Sequence, residues 1–169
     1  IYGAVLAGGV GSRMKMGDMP KQFLPLGNKP IVIHTVEKFI MNQRFDRIYI
    51  GVHNEWVQYL KELFDKFEIK DQRLHFVSGG GDRNETIMNI ISDIEHRYGL
   101  NDNDIIVTHD AVRPFVTNRI LNDNIDYAIK YGACDTCIPA TDTIVHSEGG
   151  DFITTIPERK LMHQGQTPQ

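Results

Sequence analysis

Strand-like apolar runs alternate with amphipathic helical segments along most of this chain, and this alternation constrains the fold more than any other feature. The strand-like runs are short and mostly unbroken, and they lie at residues 4–6, 48–52, 74–77, 105–107 and 133–139. The helical segments carry apolar residues at helical spacing, and they lie at residues 31–41, 55–67, 83–98 and 117–131. The pattern predicts an α/β fold, a Rossmann-like, mostly parallel sheet with helices on both faces.

The alternation ends after Pro139. Residues 143–146 and 152–156 are strand-like and flank Glu148-Gly149-Gly150-Asp151, a turn-forming sequence that is typical of a β-hairpin. Because this hairpin interrupts the strand–helix order, we expect a β-arm at about residues 140–160 that projects from a single domain spanning residues 1–169.

Composition narrows the class of protein further. A length of 169 residues allows one domain with a sizeable core. The formal net charge of -4 gives no overall field that would attract nucleic acid. No apolar run approaches the ~18 residues of a membrane-spanning helix, and the opening residues do not predict a secretory leader. We therefore expect a cytoplasmic protein with no nucleic-acid partner and no membrane partner.

The first strand runs into a glycine-rich segment, Leu6-Ala7-Gly8-Gly9-Val10-Gly11. Ligands of open α/β sheets bind beyond the carboxyl ends of the strands, and glycine lets backbone N–H groups approach phosphates closely. The segment lacks the third glycine of a dinucleotide fingerprint and the Gly-Lys-Ser/Thr of a P-loop. The residues that we predict to bind a nucleotide here are Leu6, Ala7, Gly8, Gly9 and Gly11.

Two cations follow the glycine segment. They are Arg13 and Lys21, the second of which lies in Pro20-Lys21-Gln22-Phe23. In nucleotidyl transfer, the transition state at the α-phosphorus gains charge on its oxygens, and fixed cations stabilise that charge. We therefore predict catalytic roles for Arg13 and Lys21. The alternative interpretation is a tight turn with two surface cations.

Five motifs occur in a fixed order along nearly the whole chain. They are Gly8-Gly-Val-Gly-Ser-Arg-Met14 with Pro20-Lys-Gln-Phe23, Gly80-Gly-Asp-Arg-Asn-Glu-Thr86, His109-Asp-Ala-Val-Arg-Pro114, Ala140-Thr-Asp-Thr143 and Gln166-Thr-Pro-Gln169. Together they resemble the cytidylyltransferases that activate ribitol 5-phosphate and methylerythritol 4-phosphate. The resemblance implies a fold of the nucleotide-diphospho-sugar transferase type. It also implies an enzyme that transfers CMP from CTP to a polyol phosphate and releases pyrophosphate.

The resemblance assigns roles on the nucleotide side of the site. The residues that the family uses there correspond to Arg13, Lys21, Gly79, Gly80, Gly81, Arg83 and Thr86. The two cations would contact the triphosphate and its transition state. Backbone groups of the glycine turn would read the cytosine base, and the Thr86 hydroxyl would bind the nucleotide.

The resemblance also assigns the acceptor side. The corresponding residues are Asp110, Arg113, Thr143, Arg159 and Thr167. Asp110 would hold Mg²⁺ directly or through water, because Mg²⁺ binds phosphates and waters together with one or two carboxylates. Arg113 would bind the acceptor phosphate through its guanidinium fork. Alternatively, Asp110 caps the next turn and Arg159 is a solvated surface charge. We interpret the neighbouring His109 as a packed residue rather than a base.

Two further expectations follow from the resemblance. The protein would be a homodimer in which the arm of each subunit completes the partner's acceptor pocket. Family members continue past the Gln166-Thr-Pro-Gln169 motif with a segment that supplies another lysine, and we expect that segment to be absent from this chain. A non-catalytic CTP-binding module is therefore an alternative function.

Details of the motifs favour ribitol 5-phosphate as the acceptor. The opening Leu6-Ala-Gly-Gly-Val-Gly-Ser-Arg-Met14 and residues 82–88, 108–115 and 164–169 resemble the ribitol branch. The product of that branch, CDP-ribitol, feeds teichoic acid or a related glycopolymer. The alternative acceptor is methylerythritol 4-phosphate, used in isoprenoid precursor synthesis. A sugar-1-phosphate nucleotidyltransferase using UTP or dTTP shares the glycine loop but lacks the His109-Asp-Ala-Val-Arg-Pro114 match.

Overall fold

The computed structural model describes residues 1–9 and 19–169. The strands are β1 (Tyr2–Ala7), β2 (Pro25–Leu26), β3 (Lys29–Pro30), β4 (Arg47–Val52), β5 (Leu74–Ser78), β6 (Ile106–Asp110), β7 (Cys137–Pro139) and β8 (His163–Gly165). The α-helices are α1 (Ile31–Met41), α2 (Val57–Lys66), α3 (Arg83–Tyr98) and α4 (Asn118–Tyr131). Short 3₁₀ helices lie at Lys21–Phe23, Asn54–Trp56 and Arg159–Leu161.

The central sheet has four strands in the order β5-β4-β1-β6, and all three neighbouring pairs are parallel. The chain moves outward from β1 through β4 to β5, and α3 then returns it to the other side of β1. The carboxyl ends of β1 and β6 therefore meet where the strand order reverses, which is the usual ligand position in such sheets. The predicted parallel α/β fold is confirmed.

Helices cover both faces of the sheet, as predicted. On one face, Val5, Ile48 and Ile50 pack with the buried sides of α1, α2 and α4. On the other face, Ala4 and Tyr49 pack with α3. Side chains of adjacent strand residues point to opposite faces, so the unbroken apolar strands supply both cores.

The helix ends follow local sequence signals. The Asp82 side chain accepts the backbone N–H of Glu85 at 2.8 Å, which caps the first turn of α3. The Thr117 side chain accepts the N–H of Ile120 at 3.3 Å, and Gly132 ends α4 in the left-handed conformation with a φ of 87°. These two residues set the ends of α4.

The prediction of a sheet strand over residues 133–139 was wrong. Only Cys137–Pro139 form a strand, and it pairs antiparallel with β8 in a separate two-stranded sheet. The outer edge of β6 instead pairs with the Gln166-Thr-Pro-Gln169 segment. Thr108 and Gln169 exchange both of their backbone hydrogen bonds, at 2.8 and 2.9 Å. All three residues of β7 are exposed, so no apolar face draws this strand into the core.

The arm contains less regular structure than the sequence pattern predicts. One antiparallel bridge joins His146 to Thr155, and the Ser147 hydroxyl donates to the carbonyl of Phe152 at 2.7 Å. The Phe152 side chain is 83% exposed, and Ile153 is exposed as well. Without a buried apolar face, the predicted hairpin is reduced to a single bridge. In the part of the chain that the structure describes, no helix is long and apolar enough to cross a membrane.

Candidate functional site

A pocket of about 560 Å³ lies at the carboxyl ends of β1 and β6. Its walls come from the end of β1, the 3₁₀ helix at Lys21–Phe23, the start of α3 and the end of β6. The lining residues are Leu6, Ala7, Gly8, Gly9, Lys21, Gln22, His53, Gly80, Gly81, Asp82, Arg83, Thr86, Asp110 and Val112. This volume lies within the range of ligand pockets.

Most of the predicted site residues converge on this pocket. Arg113 and Thr167 do not line it, but each forms a hydrogen bond with Asp110, which does. Gly79 does not line it either and directly precedes the lining residue Gly80. The structure does not bring Thr143 or Arg159 to the pocket; the Arg159 guanidinium donates to the carbonyl of Thr141 at 3.1 Å. The predicted Gly11 and Arg13 lie outside the described residues. The roles of all these residues stay predictions.

The first wall joins the glycine segment to the Lys21 turn. Phe23 is buried and packs its ring 5.2 Å from the rings of both Trp56 and Tyr59. This packing fixes the short helix that carries Lys21 to the pocket. The side-chain amide of Gln22 donates to the carbonyls of Ala7 and Gly9, so the helix is also tied to the end of β1.

The second wall is the glycine turn before α3. The N–H of Gly79 donates to the carbonyl of Val52 at 2.7 Å, which extends the pairing between β5 and β4 by one bond. The N–H of Gly80 donates to the Thr86 hydroxyl at 3.0 Å, and that hydroxyl donates to the carbonyl of Asp82 at 2.9 Å. The N–H of Gly81 donates to the Glu85 carboxylate at 2.7 Å. Helix α3 thus shapes the turn with its own first residues.

These bonds refine the predicted role of Thr86. Its hydroxyl proton is committed to Asp82, so the oxygen can only accept a hydrogen bond from a nucleotide. The residue is buried, and a Cβ placed on Gly8 would lie 3.2 Å from its hydroxyl oxygen. Thr86 therefore holds the two glycine segments at a fixed separation as well as lining the pocket.

The third wall is built from charges around Asp110. The Arg113 Nε donates to one carboxylate oxygen of Asp110 at 3.0 Å, and the Arg83 Nε lies 3.6 Å from the other. The backbone N–H of Asp110 donates to the Thr167 hydroxyl at 3.3 Å. These contacts place the Asp110 carboxylate between two guanidinium groups at the end of β6. The carboxylate thereby holds Arg83, from the start of α3, and Arg113, from the turn after β6, at the same pocket.

The Gln-Thr-Pro-Gln segment supports the same cluster. The Arg113 Nη1 donates to the side chain of Gln166 at 2.5 Å, and the Arg83 Nη2 donates to the side chain of Gln169 at 2.8 Å. Both arginines therefore share the Asp110 carboxylate, and each also donates to one side-chain amide. Arg83 donates to the Thr108 hydroxyl as well, at 3.3 Å. Within this motif, only Thr167 was a predicted site residue.

His109 is packed, as interpreted from its position. It is buried beside Phe39, with ring centroids 5.6 Å apart, and its Nε2 donates to the carbonyl of Arg113 at 3.0 Å. Burial lowers the pKa of His109, and the bond to Arg113 only partly opposes that effect. The Nε2 bond holds the turn between Asp110 and Arg113.

Sequence reasoning missed four lining residues, which are Gln22, His53, Asp82 and Val112. Gln22, Asp82 and Val112 lie inside motifs that the sequence analysis identified, so position within a motif could have indicated them. His53 follows β4 directly, and the end of a parallel strand was the signal available for it. The hydrogen bonds from Gln22 to Ala7 and Gly9 join residues that only the fold brings together.

The carboxylates of the pocket limit the kind of metal it could hold. Among residues 1–9 and 19–169, no three His, Cys, Asp or Glu side chains converge on a metal position. Asp82 and Asp110 line the pocket, but Asp82 is used as a helix cap. This donor set fits a cation such as Mg²⁺ that takes most of its ligands from phosphates and water.

A second depression of about 590 Å³ lies between α2 and β5, and residues such as Lys61, Phe64 and Phe76 line it. None of the predicted site residues contributes to it. Of these two pockets, only the one at the strand ends combines glycine backbone, cations and a carboxylate. That arrangement suits a polyanionic ligand.

Comparison with known proteins agrees with this geometry. Residues 1–169 match the family model of IspD, 2-C-methyl-D-erythritol 4-phosphate cytidylyltransferase. A solved 4-diphosphocytidyl-2C-methyl-D-erythritol synthase is 23% identical with a TM-score of 0.76, over 99% of this chain and 72% of that one. The synthase from Anaerococcus prevotii DSM 20548 is 18% identical with a TM-score of 0.77, over 99% of this chain and 67% of that one.

The cytidylyltransferase from Francisella tularensis is 24% identical with a TM-score of 0.71, over 99% of this chain and 70% of that one. At these identities the solved structures establish the fold, and the match of the family model over residues 1–169 establishes the family. With the glycine walls and cations at the strand ends, it follows that the chain belongs to the IspD family and is a cytidylyltransferase.

Proposed function

We propose that this cytidylyltransferase transfers CMP from CTP to D-ribitol 5-phosphate, giving CDP-ribitol and pyrophosphate. The observation that carries the proposal is the pocket in which two glycine walls face a carboxylate held between Arg83 and Arg113. The choice of ribitol 5-phosphate rests on the resemblance of the sequence motifs to the ribitol branch. The product would supply the synthesis of teichoic acid or a related glycopolymer.

The two glycine walls suit the nucleotide. We propose that the triphosphate lies along Gly8 and Gly9, beside Lys21, with the predicted Arg13 and Gly11 completing this side. The turn at residues 79–81 would contact the cytosine base through backbone groups. Backbone N–H and carbonyl groups held by buried partners recognise a flat, polar base without a large loss of side-chain entropy.

The charged wall suits the acceptor phosphate. Arg113 offers a planar set of donors that matches a phosphate, and its present partners are oxygen acceptors on Asp110 and Gln166. We propose that the acceptor phosphate binds Arg113 at this edge of the pocket. Thr167 contacts Asp110 and would lie near the same ligand.

The reaction needs no general base. The acceptor phosphate is already anionic, and one of its oxygens would attack the α-phosphorus in line. The new P–O bond joins acceptor phosphate and CMP, while the bond from the α-phosphorus to the bridging oxygen breaks and the electron pair leaves with pyrophosphate. Lys21 and Arg13 would neutralise charge that develops in this step, and the two walls would align the reactants.

A divalent cation is the proposed cofactor, since enzymes of the IspD type generally use one. Asp110 would hold Mg²⁺ directly or through water, at the boundary between the nucleotide and acceptor sides. The cation would supply charge neutralisation on the triphosphate. Its binding at Asp110 would compete with the contacts from Arg83 and Arg113.

We further propose a homodimer in which the arm completes the partner's acceptor pocket. Thr143 and Arg159 lie outside the pocket of their own chain, and the arm exposes Phe152 and Ile153. Mixing inactive Lys21→Ala and Arg159→Ala variants should restore part of the activity, because one of the two sites in a mixed dimer would keep both residues. Verified mixed dimers without recovered activity would contradict shared sites.

Methylerythritol 4-phosphate is the second candidate acceptor, because the matching family model and the solved relatives are named for that substrate. The deciding measurement is pyrophosphate release from CTP and Mg²⁺ with each acceptor in parallel. Selective turnover of ribitol 5-phosphate supports the proposal, and selective turnover of methylerythritol 4-phosphate overturns it. CTP binding without turnover of either acceptor would favour the non-catalytic module.

A further inference from the structure

Gln22 is a buried polar side chain in the wall of the pocket. It is 4% exposed and lies between Lys21, which lines the pocket, and Phe23, which is anchored in the core. Its side-chain amide nitrogen donates to the carbonyl of Ala7 at 2.6 Å and to the carbonyl of Gly9 at 3.2 Å. One amide thus uses both of its N–H groups on the backbone of the glycine segment.

These two bonds fix the orientation of the peptide unit that precedes Gly8 and of the one that follows Gly9. In a trans peptide the C=O and the N–H point in opposite directions. When Gln22 holds the Ala7 carbonyl, the N–H of Gly8 is turned away from Gln22. Glycine has no side chain to limit its backbone, so an external clamp of this kind is needed to keep one orientation of the segment.

We propose that Gln22 is a positioning residue that fixes the backbone of Gly8 and Gly9. It aims the N–H of Gly8 at the triphosphate and sets the distance of these glycines from Lys21. The inference rests on the proposed use of CTP and adds a residue to that site. It makes the two phosphate-binding elements one unit, since the helix that carries Lys21 also carries the clamp on the glycine segment.

Two substitutions separate positioning from ordinary stabilisation. Gln22→Met keeps the length of the side chain and removes both donors. Gln22→Glu keeps the shape, but an ionised carboxylate would face two carbonyl oxygens. Burial among acceptors raises the pKa of such a carboxyl above the ordinary ~4.3 for glutamate. The protonated form can again donate one hydrogen bond to the Ala7 carbonyl.

The first measurement compares binding of CTP and cytidine by calorimetry. Loss of two hydrogen bonds in the clamp should weaken CTP binding by about tenfold in Gln22→Met, while cytidine binding stays the same because cytidine has no phosphates. The matched control is Gln58→Met, which changes an exposed glutamine that donates to Glu62. Equal loss for CTP and cytidine, or no loss for either, would overturn the proposal.

The second measurement is the ratio of Gln22→Glu to wild-type turnover across the pH range. Protonation should restore part of the clamp, so the ratio should rise as the pH falls, whereas the ratio for Gln22→Met should stay flat. A flat ratio for both variants would contradict the inference. If Gln22→Glu does not fold, the ligand comparison with Gln22→Met decides alone. Wild-type protein that fails to bind CTP would instead refute the proposed function.

Discussion

The wall that we propose for the nucleotide and the wall that we propose for the acceptor are built from different kinds of groups. In the proposed nucleotide wall, the pocket is lined by backbone atoms of two glycine segments, held by the buried side chains of Gln22 and Thr86. On the acceptor side, Asp110 and Arg113 are partly exposed charged side chains that hold one another. One wall is shaped by packing, and the other by ion pairs.

This difference determines which substitutions and which changes of binding partner each wall can tolerate. A Cβ on Gly51 would lie 2.4 Å from the Cγ2 of Thr86, and one on Gly80 would lie 2.3 Å from the Cγ of Glu85. The nucleotide wall thus depends on the absence of side chains beside a fixed helix. The acceptor wall contains long side chains in contact with solvent, which can exchange their partners for a ligand phosphate or a metal ion.

The largest expected effect comes from removing the cation of the nucleotide wall. Lys21→Ala should lower kcat by about 10²–10³-fold, because a fixed donor that meets charge developing in the transition state contributes on that scale. CTP affinity should fall far less. The measurement is steady-state kinetics with pyrophosphate detection, and Lys70→Ala, at an exposed position, is the matched control. A loss confined to CTP binding would remove Lys21 from the catalytic residues.

A smaller effect is expected on the acceptor wall. Arg113→Ala should raise the KM for the polyol phosphate by roughly 10–100-fold, the scale of a charge-assisted hydrogen bond, and leave CTP binding nearly unchanged. Arg119→Ala removes an arginine with a similar ion pair to Asp123 on the surface of α4 and should change neither constant. If Arg113→Ala weakens CTP binding instead, the assignment of this wall to the acceptor is wrong.

The smallest effect tests the packing of the nucleotide wall. Gly51→Ala should destabilise the fold by about 1–3 kcal/mol, because the new methyl group meets Thr86, whose hydroxyl is fixed by two hydrogen bonds. Urea denaturation measures the change. Gly149→Ala, which would meet nothing within 4 Å, is the control. Equal stability of the two variants would contradict a rigid wall around Thr86.

The regular part of the fold was readable from local patterns. Helices α1 and α3 have the bounds that periodicity predicted, and the Asp110 strand ends at the sheet edge as expected. These elements combine strong local signals with a buried face, so local preference and tertiary packing agree. The strand predicted at residues 133–139 failed because apolar content alone does not specify a strand's partner.

The site was readable only in part. Glycines and cations in the motifs pointed to the pocket at the strand ends. The pairing of Arg83 with Gln169 and of Arg113 with Gln166, however, joins residues far apart in sequence. The clamp by Gln22 and the hydroxyl of Thr86 also depend on contacts between elements. No pattern along the chain encodes which of several possible acceptors a given donor will meet.

The sequence by itself determined the α/β class, the order of the main strands and helices, and many of the residues that line the pocket at the strand ends. Hydrophobic periodicity and the backbone freedom of glycine are properties of short stretches of sequence, so both can be identified without the tertiary structure. Only the tertiary structure decided which polar groups bond to one another around the pocket. Those bonds form when packing removes the groups from water, because a buried donor or acceptor must then find a partner among the few that the fold brings within reach.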